Sequence, residues 1–292
     1  MRAPLSLRAV GSMLAEAFGD WQRDNAPRMG AALAYYTLFS LAPLLLVAIA
    51  LAAFVFGREA AQGQIVGELQ GLLGDTGARA VEEIVERSRR PESGLLATVA
   101  ALFTLLLGAS GVFGELKRAL NEVWNVPPPD GGVLRLVRDR LASFAMVLAV
   151  GFLLLVSLLL SAALAAADGA LHQLFPGSLA AVLQGLNDVL SLVTITALFA
   201  LLFKFLPDTR IGWRDVWMGA LLTSTLFTVG KLLIGLYLGR SSFGSAYGAA
   251  GSLVVVIVWV YYAAQVFLFG AELAHVYARR HGTRSGAAAG AG

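Results

Sequence analysis

The chain has 292 residues, 58% of them hydrophobic and 14% charged, with a formal net charge of +3 and no cysteine. Soluble domains are about 45–50% apolar and about 25% charged, so a mean hydropathy of +0.73 excludes a water-soluble globule, and the same figures exclude a disordered chain. The lack of cysteine excludes a disulfide framework, a thiolate metal site and a cysteine nucleophile.

Residues 1–28 read as a cytoplasmic amphipathic segment. Leu7, Val10, Met13, Leu14, Ala17 and Phe18 recur at helical spacing within Leu5–Phe18. Such a helix either lies on the membrane surface or leads into the first span. Arg2, Arg8, Arg23 and Arg28 alternate with Glu16, Asp20 and Asp24, and no apolar region precedes a small-residue cleavage site, so no signal peptide is expected.

A spanning helix needs about 20 predominantly apolar residues. Six stretches qualify: Met29 to Phe56, Gly94 to Phe113, Leu141 to Ala167, Leu183 to Phe205, Trp213 to Leu238 and Ala246 to Tyr277. The expected fold is therefore all-α, a polytopic bundle of six transmembrane helices forming one membrane domain over 29–277. In the first span, Tyr35, Tyr36, Thr37 and Ser40 precede Pro43. Proline removes a backbone hydrogen bond and kinks a helix. Hydroxyls beside such a break either line a path or simply satisfy the freed carbonyls.

The connection over 57–93 is the longest on the outer side. Ile65, Val66, Leu69, Leu72 and Leu73, then Val81, Ile84 and Val85, flank a Gly74-Asp75-Thr76-Gly77 turn. This is an external helical pair, either a lid over a cavity or a hairpin resting on the leaflet. The second span continues as helix through Glu115–Asn121 and stops at Pro127-Pro128-Pro129-Asp130-Gly131-Gly132. Residues 278–292 end in a Gly/Ala/Ser-rich tail expected to be disordered.

Ionisable groups within spans are costly and point to function. Asp188 lies about 10 Å, and Lys231 about 8 Å, outward of the centres of the fourth and fifth spans at 1.5 Å per residue, so the two could pair. Glu272, near the inner end of the sixth span, could be reached by Lys204 and Arg214. Each pair is either a clasp between helices or part of a substrate path. The stretch Ser241–Ser252, containing Tyr247 and Gly248, is loose enough to be a partly unwound entry to the sixth span or a tight external turn.

Fifteen of the 22 Lys and Arg residues fall on the side holding the N-terminus, the 114–140 loop, the 207–214 loop and the C-terminus, and six on the other. This bias puts both termini in the cytoplasm. It also explains the pI near 9.4 without nucleic acid, through arginines facing anionic headgroups. No metal-ligand cluster, phosphate loop, nucleophile elbow or paired-carboxylate motif is present, and His172, His275 and His281 are scattered. No catalytic residues, metal or cofactor are expected.

The stretch Ala31-Ala32-Leu33-Ala34-Tyr35-Tyr36-Thr37-Leu38-Phe39-Ser40-Leu41-Ala42-Pro43-Leu44 resembles the opening signature of the YihY/BrkB family of bacterial inner-membrane proteins. Ala119-Leu120-Asn121-Glu122-Val123-Trp124 resembles that family's motif after the second span. Leu206-Pro207 with Trp213-Arg214-Asp215 and Gly219-Ala220 is similar to its fifth-span entry. Tyr247-Gly248, Gly251, Trp259-Val260-Tyr261 and Gly270-Ala271-Glu272-Leu273 are similar to its last span. Ala249-Ala250 departs from the serine and apolar residue expected there.

The resemblance implies a multi-pass inner-membrane protein of a family named for virulence or serum resistance. Members have been linked to export of envelope lipid, and some were once labelled ribonucleases. A ribonuclease fits poorly, because the chain lacks an acidic cluster for two metals and a histidine pair for cleavage. The leading expectation is transport or flipping of a lipid or other amphiphile. Tyr35, Tyr36, Ser40, Pro43, Asp188, Lys231, Tyr247 and Gly248 would line the path, and Asp188, Lys231, Glu272 and Lys204 would serve ion pairing or coupling. The other expectation is a scaffold for envelope proteins. Partners are membrane lipids, with a homo-oligomer or envelope proteins as further possibilities and no nucleic acid.

Overall fold

A computed structural model describes residues 7–40, 111–127, 178–240 and 251–282, together with isolated helical positions at 63, 67, 70, 141, 145, 146, 149, 153 and 156. Every regular element among the described residues is helical. Most of the 57–93 pair, the third span, Pro43, Tyr247, Gly248 and the tail beyond Gly282 lie outside the described residues.

The first helix, α1, runs Leu7–Arg23 and is strongly amphipathic. It ends at Asn25, whose φ of 54° is left-handed. Asparagine tolerates that conformation because its short amide can bond locally. The Asn25 carbonyl then accepts from the amides of Arg28 and Met29 and starts the next helix, α2, over 26–40. Pro27 falls in the first turn of α2, where a missing N–H costs nothing.

The third helix, α3, covers 111–123. Asn125 (φ 51°) closes it, with the Val126 amide reaching back to the Asn121 carbonyl at 2.8 Å and Val126 packing on the core. This is a left-handed helix stop with its accompanying apolar contact. The Pro run that the sequence marks as the stop begins two residues later.

Three long helices follow: α4 (Ser178–Phe205), α5 (Trp213–Arg240) and α6 (Gly251–Arg280). Each carries a stretch long and apolar enough to cross a membrane: Asp188–Phe205, Trp213–Leu233 and Val254–Arg280. They match the fourth, fifth and sixth expected spans. α4 and α5 are joined by the short 206–212 turn and pack side by side, and α5 packs against α6.

At the α5–α6 crossing, Gly219 and Gly270 let the backbones touch. A Cβ on Gly219 would meet the Gly270 carbonyl and lie 2.8 Å from Ala274 Cβ, and one on Gly270 would run into Thr223 Oγ1. Higher up, Tyr262 lies over Gly230 and donates to the Leu226 carbonyl at 3.0 Å. Between α4 and α5, the hydroxyls of Thr196 and Ser224 are 2.7 Å apart, both buried. Small and hydroxyl residues are the usual means of holding helices together in lipid, which offers no hydrophobic drive for association.

The main core joins α2 to α6 through Met29, Leu33, Leu120, Trp124, Phe203, Val216, Leu268 and Ala271, among others. It sits at one end of the bundle. This end, which carries α1, the 206–212 turn and the last turns of α6, is called the charged end below. At the other end α4 and α5 expose Leu186, Val189, Val193, Leu232 and Leu233.

The apolar stripe of α1 is occupied by protein. Met13 and Ala17 are fully buried against Leu273 and Val276 of α6, with Phe269 and Tyr277 alongside. α6 offers the stripe a complementary apolar face along its last three turns.

Candidate functional site

Two groups of polar residues stand out, one at each end of the long helices. Toward the end away from α1, α4 carries Asp188, which is exposed, and α5 carries Lys231, which is half-buried. Asp188 and Lys231 lie at the ends of the apolar stretches Asp188–Phe205 and Trp213–Leu233. The expected Asp188–Lys231 ion pair is not formed. Among the described residues neither charge has an ion-pair partner. Matching depth along antiparallel helices does not fix the angle around each axis, and Asp188 projects from an exposed stretch of α4 beside Val189.

At the charged end, ion pairs tie α1 to α6. Arg279 Nη2 donates to Glu16 Oε1 at 2.8 Å and to Asp20 Oδ2 at 2.5 Å. Arg280 pairs with Glu16 and donates to Ser12 Oγ at 2.7 Å. Arg23 pairs with Asp20 within α1. Arg279 and Arg280 also occupy the last turn of α6, where cations complement the helix dipole.

Beneath this network lies Glu272, fully buried on α6. Neither of its carboxyl oxygens has a hydrogen-bond partner among the described residues. Its charged neighbours are Asp24, of like sign, and Arg279 and Arg23, of opposite sign. The expected approach of Lys204 to Glu272 does not occur. The Lys204 ammonium is drawn into its own turn, bonded to the Ile211 carbonyl and 5.7 Å from the centre of the Trp213 ring. Arg214 is exposed and forms no ion pair with Glu272.

Two further contacts at this end were not anticipated. Asn121 and Asp208 bond reciprocally: Asn121 Nδ2 donates to Asp208 Oδ2 at 3.2 Å, and the Asp208 amide donates to Asn121 Oδ1 at 2.8 Å. Lys117 Nζ lies 2.9 Å from Asp208 Oδ1. These bonds fasten the end of α3 to the α4–α5 turn. His275 lies against the buried Trp124 ring, with centroids 5.0 Å apart. Asn121 and Trp124 stood out in the sequence as motif residues, but Asp208 and His275 did not, and nothing in the spacing linked positions 87 and 151 residues apart.

On α2, Tyr35 and Phe39 are exposed with ring centroids 4.8 Å apart, and Tyr36 is partly exposed. Ser40 is buried and faces Gly111 of α3. Tyr35 and Ser40 therefore do not share one surface. Among the described residues no group of three or more His, Asp or Glu is placed to hold a metal.

A family model described as "Virulence factor BrkB" matches residues 17–291. Among similar curated proteins, a UPF0761 membrane protein of Verminephrobacter eiseniae is 30% identical over 93% of this chain and 67% of its own length. One from Pseudomonas paraeruginosa is 28% identical over 86% of this chain and 59% of its own. A third, from Ralstonia nicotianae, is 28% identical over 86% of this chain and 55% of its own. The chain thus spans a little over half to two thirds of the length of these relatives. No solved structure matches it.

Proposed function

Because the chain belongs to the BrkB family of membrane proteins, we propose that it moves an anionic lipid or other amphiphile across the bacterial inner membrane. The observation that carries this reading is Lys231. It is a half-buried ammonium within an apolar span, with no ion-pair partner among the described residues. A cation in that setting is costly unless something compensates it, and an anionic headgroup would do so. In this reading the protein crosses the membrane six times with both termini in the cytoplasm. Lys231 receives the headgroup on the outer side, and the Tyr35–Phe39 face of α2 flanks the acyl chains. Asp188 and the buried Glu272 are the groups available to carry a coupling proton. The chain itself has no catalytic task.

A second reading, a scaffold for other envelope proteins, draws on the charged end, where the ion pairs bind α1 to α6 and serve packing alone. Proteoliposomes containing a fluorescent anionic phospholipid separate the two readings. Transport predicts translocation faster than in empty liposomes, reduced several-fold by Lys231→Ala and largely retained by Lys231→Arg. Rates equal to those of empty liposomes would overturn it and leave the scaffold.

A further inference from the structure

The face of α5 turned away from α6 carries its own pattern. Trp213, Trp217 and Leu221 are spaced four apart and are 47%, 45% and 52% exposed. They form one stripe about 12 Å long at 1.5 Å per residue. Phe205 of α4 extends the stripe, 58% exposed and edge-on to Trp213 with centroids 5.8 Å apart. A bilayer's hydrocarbon core is about 30 Å thick, so the stripe covers most of one leaflet.

At the charged end of the stripe stand Arg210, in the α4–α5 turn, and Arg214, in the first turn of α5. Both are exposed, and among the described residues neither has a carboxylate partner. The acids nearest in sequence are engaged elsewhere. Asp208 is held by Lys117 and Asn121. Asp215 is buried with its carboxyl against Gly282. Lys204 is folded onto the Ile211 carbonyl and the Trp213 ring, which stiffens the turn that carries Arg210.

We propose that this surface is a docking site for an anionic phospholipid of the adjacent leaflet, its phosphate held by Arg210 and Arg214 and an acyl chain lying along Phe205, Trp213, Trp217 and Leu221. Charge complementarity selects this occupant. Two unpaired guanidiniums at the rim of an apolar stripe match an anionic head on an apolar tail, and guanidinium binds phosphate in a fixed fork geometry. Tryptophan at the same level suits the headgroup boundary. The site lies at the opposite end of α5 from Lys231 and does not depend on transport.

Brominated lipids test it. Of the five tryptophans, Trp124 and Trp259 are buried and Trp21 is half-buried, so quenching reports chiefly on Trp213 and Trp217. The protein is reconstituted in vesicles containing brominated phosphatidylglycerol or brominated phosphatidylcholine at equal mole fraction. The anionic lipid is expected to associate more tightly by up to about fivefold per arginine. That preference should vanish in Arg210→Gln/Arg214→Gln and survive in Arg210→Lys/Arg214→Lys. In the unaltered protein it should shrink as salt is raised, a readout that stands even if the double variant fails to fold. Equal quenching by the two lipids, or a preference unmoved by salt, would overturn the site. Weak quenching by both lipids in a protein that migrates as a dimer would assign the face to a second copy instead.

Discussion

Glycine serves opposite ends at different positions in this chain. Gly270 lies where a Cβ would strike Thr223 Oγ1, whereas Gly11 on α1 has open space around it. Gly270→Leu is expected to cost about 1–3 kcal/mol or more through overpacking, while Gly11→Ala should stabilise by about 0.5–1 kcal/mol by restricting the unfolded chain. Thermal midpoints in detergent would read both, and a shared sign would refute the contrast. Asn125, with φ 51°, gives a second pair. Asn125→Gly should be tolerated and Asn125→Val should lower the midpoint, since a β-branched residue is strained there by about 1–2 kcal/mol. Glu272 is a third case. Its carboxyl is buried with neither oxygen hydrogen-bonded among the described residues, so Glu272→Gln, which keeps the shape and cannot ionise, should leave the midpoint unchanged or raise it. A fall of several degrees would mean that an ionisable carboxyl is needed for the fold. The sequence marked Glu272 as an intramembrane acid, and that much was legible. Its surroundings were not, because they depend on α1 and the α1–α2 corner, more than 240 residues away.

The helix α1 shows what periodicity can and cannot tell. Its apolar stripe is plain in the sequence, with Val10, Met13, Leu14 and Ala17 on one side. A stripe fits a bilayer surface or another helix equally well, so its target was illegible. α6 supplies that target with Leu273 and Val276, and Arg279 and Arg280 align the pair. Arg279 and Glu16 are partly exposed, and the buried Asp20 keeps Arg23 as a second partner, so Arg279→Ala should cost about 1 kcal/mol. Met13→Glu should cost more, because it places a carboxylate in the apolar contact. Hydrogen–deuterium exchange over residues 7–23 checks this: fast exchange in Met13→Glu and near-normal protection in Arg279→Ala. The reverse order would make the clasp electrostatic. Capping was legible in part. The Pro run announced the end of α3, yet the helix stops earlier, where Asn125 turns and Val126 closes the last carbonyl.

At the scale of the molecule, hydropathy alone located α4, α5 and α6, because a 20-residue apolar run has few alternatives in a chain this poor in charge. Which faces of those helices meet was illegible, since each is apolar around most of its circumference. The charge bias predicts that α1 and the 206–212 turn share one side of the membrane and the far end of α4 lies on the other. The natural absence of cysteine makes single-cysteine variants clean reporters. Cysteines at Ser12 and Thr209 should react with an impermeant maleimide only in inverted vesicles, and one at Gly185 only in right-side-out vesicles. Labelling of Ser12 and Gly185 from the same side would refute the topology.

The Gly219–Gly270 crossing also restricts which movements α5 and α6 can make. The backbones interlock at a notch that exists only because two side chains are missing. Sliding α5 by one turn, about 5.4 Å, would bring Thr223 or Asp215 into the notch, where there is no room for a Cβ. Translation along the axis is therefore blocked. Rotation is opposed as well, because Tyr262 packs over Gly230 and donates to the Leu226 carbonyl, a second clasp 11 residues further along α5. Joined at two points about 16 Å apart at 1.5 Å per residue, α5 and α6 form one stiff pair, and Lys231 sits beside the second clasp.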